Sequence, residues 1–176
     1  MARLGAAVAA AIAAAVVTLS LVETGSSESA HGAACPVTLP RKLPPAPRAA
    51  GFANPEFNDG NSYLRVILWP HGVLIAGILP DGGSMAEILR DGSISAKQAW
   101  WRGLPDRLRG RKLVVSGRRL DAPAPPMRAD VPDGYGSLGV QPTGPRFPTT
   151  GCWRVTGRQG RVSLSFVVRV VKLHGA

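Results

Sequence analysis

The sequence predicts an all-β chain, an antiparallel β-sandwich, on three observations. The first is the closing stretch FPTTGCWRVTGRQGRVSLSFVVRVVKL, Phe147 to Leu173, where apolar and polar residues alternate. Val162, Leu164, Phe166, Val168 and Val170 fall on one face; Arg161, Ser163, Ser165 and Arg169 fall on the other, with Val167 and Val171 among them, as in a half-buried strand. The second is a series of roughly six to eight short apolar runs separated by Gly, Pro, Asn and Asp clusters. The third is the lack of any sustained helical period.

The start of the chain differs from all that follows. Arg3 is its one charge, and an alanine-rich uncharged run extends from Leu4 to Val22. A basic start before such a run is the pattern of an export signal. Residues 4–22 are also close to the ~20 needed to span a bilayer. Residues 1–34 therefore read as a signal peptide or an uncleaved N-terminal anchor helix with a polar spacer. A Pro-rich arm and turn region follows over 35–62, and the β-domain over 63–176. Cleavage after Gly32 or Ala34 fits the small-residue rule. Lipidation of Cys35 is disfavoured, since Gly32 stands where a leucine-like residue is wanted. Either leading reading makes the remainder secreted or extracytoplasmic, touching a membrane only through the N-terminal segment.

Two cysteines in an exported chain favour a disulfide, Cys35–Cys152. His31, His71 and His174 lie far apart, so the sequence offers no metal set and no cofactor. Trp153 and Val155 are the apolar set of their strand, which leaves Cys152 on the opposite face. From there it would pin the arm across the outside of the sheet.

The remaining elements are read in order. Residues 35–50, CPVTLPRKLPPAPRAA, make an extended arm. Asp59-Gly60-Asn61 is a turn, since a calcium loop needs spaced acidic ligands and a terminal glutamate. YLRVILW (63–69) and VLIAGIL (73–79) should form a hairpin through Pro70-His71-Gly72. MAEILRDGS (85–93) suits one or two helical turns or a short strand, ISAKQAWW (94–101) an extended segment, and KLVVSGRRL (112–120) a strand. Four prolines between Asp121 and Asp133 argue against regular structure from 121 to 137, and LGVQPTG (138–144) follows as a short strand.

Several strings occur together: CPVT at Cys35, LWP at Leu68, WWRG at Trp100, GRRLDAPAPP at Gly117, GYG at Gly134 and FPTTGCWRVTGR at Phe147. In these the chain resembles a group of uncharacterised exported bacterial proteins with a C-terminal FPTxGCWxVTGR…FVVRV hairpin. It also resembles, more distantly, immunoglobulin-like β-sandwich domains, whose penultimate strand carries a cysteine. The first resemblance implies export and a shared fold and carries no activity with it. Three places depart from the group: Arg154 where an acidic residue is expected, Val140 where an aromatic is common, and Pro145-Arg146 where apolar residues are common.

The charge is +10, with arginine supplying 17 of the 21 basic residues. Such a balance suits an anionic partner, here anionic lipid or a cell-wall polymer rather than nucleic acid, given export. It also suits a purely compositional bias toward arginine. Within 102–119, Arg107, Arg109, Arg111, Lys112, Arg118 and Arg119 form a candidate anionic-surface patch. Trp100, Trp101 and Arg102 are candidates for ligand contact, one ring serving as a stacking platform for a sugar or peptide. The competing reading puts one ring in the core and the other against a loop or the arm. No catalytic residue is nominated: Ser116 lacks a nucleophile elbow, His71 sits in a turn, and the aspartates occupy turn contexts. The leading expectation is a non-catalytic, envelope-associated binding or structural module. A carbohydrate- or peptide-recognising accessory domain comes second and an unrecognised hydrolase third, with the oligomeric state open.

Overall fold

A computed structural model describes residues 34–44, 57–103, 111–135 and 139–173. In chain order these hold β1 (Asp59–Gly60), β2 (Leu64–Val66), a 3-10 turn (Pro70–Gly72), β3 (Val73–Ala76), β4 (Ala86–Ile88) and β5 (Ile94–Ala96). Then come β6 (Gln98–Arg102), β7 (Val114–Arg119), β8 (Arg128–Asp130), β9 (Val140–Phe147), β10 (Gly151–Gln159) and β11 (Val162–Lys172). The described chain is all-β, as expected. Among the described residues no helix is long and apolar enough to cross a membrane. The expected leader, apart from Ala34, lies outside them.

The β10–β11 hairpin forms in the register that its alternation requires, Trp153 opposite Val168 and Val155 opposite Phe166. These four residues are all 2% exposed or less. β7 adds to the other edge of β10, with Gly117 opposite Val155.

The sheet is mixed, not purely antiparallel. β3 runs parallel to β11, Arg169 beside Val73, and touches β4 in parallel at Ala76–Ala86. The expected hairpin of 63–69 with 73–79 is therefore not formed. β2 pairs instead with β1 and β6, and the 3-10 turn, with His71 at φ 53°, sends β3 to a different neighbour. Asp59 and Gly60 are also corrected, from a turn to a short edge strand.

Residues 121–135 hold more structure than their prolines suggested. β8 pairs with β9, and Met127 bridges to Gly117 of β7. The pairing path thus returns on itself: β9–β5–β4–β3–β11–β10–β7–β8–β9. Its thinnest seams are the single pairings Ala76–Ala86 and Gly117–Met127. β1, β2 and β6 extend from the first half of β9.

β9 carries two prolines in a central position, and the ladder shows how each is accommodated. The Arg102 N–H donates to Gly139 O at 2.7 Å. Stepping two residues at a time along the antiparallel register, Ala96 falls opposite Pro145, which has no N–H to give. Pairing lapses there, and one extended run is split into β5 and β6. Pro142 falls at a position whose N–H would face away from β6, where β8 has already ended.

The core is an unbroken series of five rings from five chain segments. Trp153 meets Phe147 at 5.7 Å, Phe147 meets Trp69 at 6.3 Å, Trp69 meets Phe166 at 6.2 Å, and Phe166 meets Trp100 at 6.0 Å between centroids. Each such pair contributes about 0.5–1.5 kcal/mol beyond the area it buries. The Trp153 indole N–H is satisfied by Thr149 O at 3.1 Å.

Candidate functional site

The disulfide forms between Cys35 and Cys152, with 5.5 Å between Cα atoms. Cys152 lies off the core face, opposite Arg169. From Cys35 the arm runs to the next strand: Thr38 N–H donates to Val167 O at 2.8 Å, and Val167 N–H donates to Thr38 Oγ1 at 2.9 Å. Val167, which shares a side of β11 with Ser165 and Arg169, is buried at this point. Farther on, Arg41 Nε donates to Asp59 Oδ1 at 2.9 Å and Arg41 Nη2 to Gly60 O at 2.7 Å. The arm therefore fastens β10, β11 and β1 in turn. The disulfide is compatible with an extracellular location.

Trp100 and Trp101 do not offer a stacking surface. Trp100 is 0% and Trp101 1% exposed. Adjacent strand residues point to opposite faces, and each face is closed here. Trp100 enters the core over Gly157, while Trp101 lies on Gly103 and beneath Arg65, whose guanidinium carbon stands 5.3 Å from the ring centroid. Arg65 Nη1 in turn donates to Pro44 O, so the arm helps to hold the cover over Trp101. Arg102 is tied to Tyr135 O at 2.8 Å, and burial draws its guanidinium below the ordinary arginine value. The expected exposed stacking ring is thus absent, since both Trp100 and Trp101 are packed inside, while Arg102 is half-buried at the strand end.

The basic patch divides. Arg107 and Arg109 lie outside the described residues. Arg111 is exposed. Lys112 Nζ meets Asp133 Oδ1 at 2.9 Å in an exposed pair. Arg119 Nε is held by Asp121 Oδ1 at 2.6 Å, a contact that keeps the Asp121 carboxyl below the usual carboxylate range. Among the described members of this group, Arg118 belongs to a larger array.

That array is the outer face of β7, β10 and β11. Register places Arg118 directly opposite Arg154, Ser116 opposite Thr156, and Val114 opposite Arg158. The rows continue onto β11 as Val167, Ser165 and Ser163, with Arg169 beyond, opposite Cys152. Arg118, Arg154, Arg158 and Arg169 are all exposed. Thr156 Oγ1 and Ser165 Oγ lie 2.7 Å apart, so Ser116, Thr156 and Ser165 make a hydroxyl row between arginines. None of the three strands contains a carboxylate. Opposed like charges are unfavourable in a sheet, so the face carries positive charge that no carboxylate of these three strands offsets.

The sequence shows Arg154 and Arg169 as polar positions of two strands and reads Arg158 into the connection between them, whereas β10 runs on to Gln159; none of the three is legible as a neighbour of Arg118. Only the pairing of β7 with β10 brings them together. The phase of KLVVSGRRL against the final hairpin carries that signal once the pairing is known.

Ser116 sits in this hydroxyl row with Thr156 as its cross-strand partner, and His71 is in the exposed 3-10 turn. Among the described residues no three His, Cys, Asp or Glu side chains group as metal ligands. Comparison with known proteins finds no matching family model, curated protein or solved structure.

Proposed function

We propose that this protein is an exported, non-catalytic envelope module that binds an anionic cell-wall polymer through the outer face of β7, β10 and β11. The observation that carries the reading is the continuous face of Arg118, Arg154, Arg158 and Arg169 around a hydroxyl row, on three strands without a carboxylate. Arginine forks donate to phosphate or carboxylate oxygens, and hydroxyls serve both as donors and acceptors for a polymer of alternating charge and hydroxyl groups. A polymer is preferred to a lipid surface because Val114 is the one large apolar side chain exposed on this face, too little for insertion. Export is supported by the disulfide and by the resemblance of the C-terminal hairpin to an exported group.

An immunoglobulin-like sandwich is one of two finer fold readings for the module. Its support is the β7–β10–β11 face packed through Trp153, Val155 and Phe166 onto the opposing strands; the returning strand path supports a closed barrel more directly.

The test is binding of the purified chain to a polyglycerol-phosphate wall polymer. Affinity should fall steeply between about 20 mM and about 500 mM salt, as electrostatic contacts are screened. Replacing Arg118, Arg154 and Arg158 together by Gln should abolish it. Absence of binding even at low salt rejects the reading, and stronger binding to anionic vesicles than to polymer replaces the partner with a membrane.

A further inference from the structure

At the Arg169 end of the basic face the surface is not flat. A cleft of about 650 Å³ opens beside the disulfide, bounded by Cys35 and Cys152, Arg119, Arg169 and Lys172. That size lies within the range of small-ligand sites, about 300–1,000 Å³. We propose that this cleft seats a single oxyanion group, phosphate or carboxylate, of the polymer lying across the basic face. The inference rests on the proposed function and adds to it a discrete subsite.

Three cationic residues line it from two strands. Arg169 and Lys172 come from β11 and Arg119 from β7. Asp121, the carboxylate among the described lining residues, is already bonded to Arg119. Positive charge is therefore in surplus within the cleft.

Arg119 is positioned in advance. Its Nε donates to Asp121 Oδ1 at 2.6 Å and its Nη1 to Thr149 Oγ1 at 3.2 Å. Its guanidinium lies against Gly151, where φ is 130° and any Cβ would collide with it. Lys172 Nζ is likewise set by donation to Gly92 O at 2.8 Å. Side chains fixed before binding need not be ordered by the ligand, and this reduces the entropic cost of capture. The disulfide and the half-buried Val171 supply an apolar flank for the carbon skeleton that bears the anion.

The subsite is tested on the full chain by NMR titration with glycerol 3-phosphate, with glucuronate and with uncharged glycerol. Both anions should give saturable shifts around Arg169 and Lys172, and glycerol none; the tighter anion identifies phosphate or carboxylate as the group recognised. Replacing Arg169 and Lys172 together by Gln should weaken fragment binding by at least about tenfold. The variant with Gln at 118, 154 and 158 should bind fragments as the native chain does. Arg119 is left in place because it holds Asp121 and the Gly151 turn. Equal shifts with glycerol, or loss of fragment binding in the face variant instead of the cleft variant, overturn the subsite. Polymer binding without fragment binding rejects the cleft and leaves the face standing. Fragment binding on a protein that ignores the polymer rejects the polymer as the source of the anion.

Discussion

The Trp100 ring lies across Gly157, its Cζ3 only 2.5 Å from the position a Cβ would occupy. This contact joins β6 to β10 through the core and explains a glycine inside the best-formed strand of the molecule, where glycine alone is unfavourable. Gly157→Ala should therefore lower stability by about 1–3 kcal/mol, the range for overpacking a core. Gly144→Ala is the matched control. It is also a strand glycine, but its nearest neighbour is Asp130 Cβ at 3.7 Å, an ordinary contact. Urea midpoints measure both, and a Gly157→Ala protein as stable as the control would refute the account.

The same contact marks how far the sequence could be read. Trp153, Val155 and Phe166 were legible as core because their strands bury one face, so period two appears directly in the text. Cys152 was legible as lying on the other face for the same reason. Trp100 and Trp101 left two readings open, since neighbouring strand residues always oppose each other and the sequence does not show what covers the second face. Arg65, nearly forty residues away, is that cover. β9 was underestimated because Pro142 and Pro145 normally exclude a central strand, and only the gap between β5 and β6 makes room for Pro145. The parallel pairing of β3 with β11 had no local signal at all, because it joins residues about a hundred positions apart. The basic face was invisible for a related reason: its members are adjacent only through register.

Cutting the Cys35–Cys152 bond should release the arm before the sheet. The bond spans 117 residues of sequence, and loss of a native disulfide costs about 2–5 kcal/mol. Cys35→Ser with Cys152→Ser should show that loss by urea denaturation. Hydrogen exchange should rise first at Thr38 and Arg41, whose contacts with Val167 and Asp59 follow the bond along the arm. Intact mass should increase by about 2 Da on reduction, the two hydrogens regained by a broken S–S bond. Two free thiols in the native protein would contradict the arrangement.

Acid should weaken the corner at Arg119. The hydrogen bond from Arg119 depresses the Asp121 pKa, with partial desolvation opposing it. A carboxyl depressed in the folded state stabilises the fold above its unfolded value of about 3.9, and that contribution is lost as pH falls through the folded value. Melting temperature should decline as pH drops below about 4. Asp121→Asn should be less stable than the native chain at neutral pH and should decline less across the acid range. Parallel melting curves for the two proteins would show that the ion pair contributes nothing measurable.

Arg118 opposite Arg154 gives the sharpest separation of stability from function. Opposed like charges cost a sheet about 0.2–1 kcal/mol, so Arg154→Gln should stabilise the free protein by that order at low ionic strength. The gain should shrink as salt rises, because screening removes the same repulsion from the native chain. Polymer affinity should move the other way, falling in the variant because one arginine of the face is gone. A residue retained only for packing would lose stability on substitution, and one fixed by composition alone would leave affinity unchanged. Thermal melts and polymer binding measured on the same variant at low and high salt decide between them.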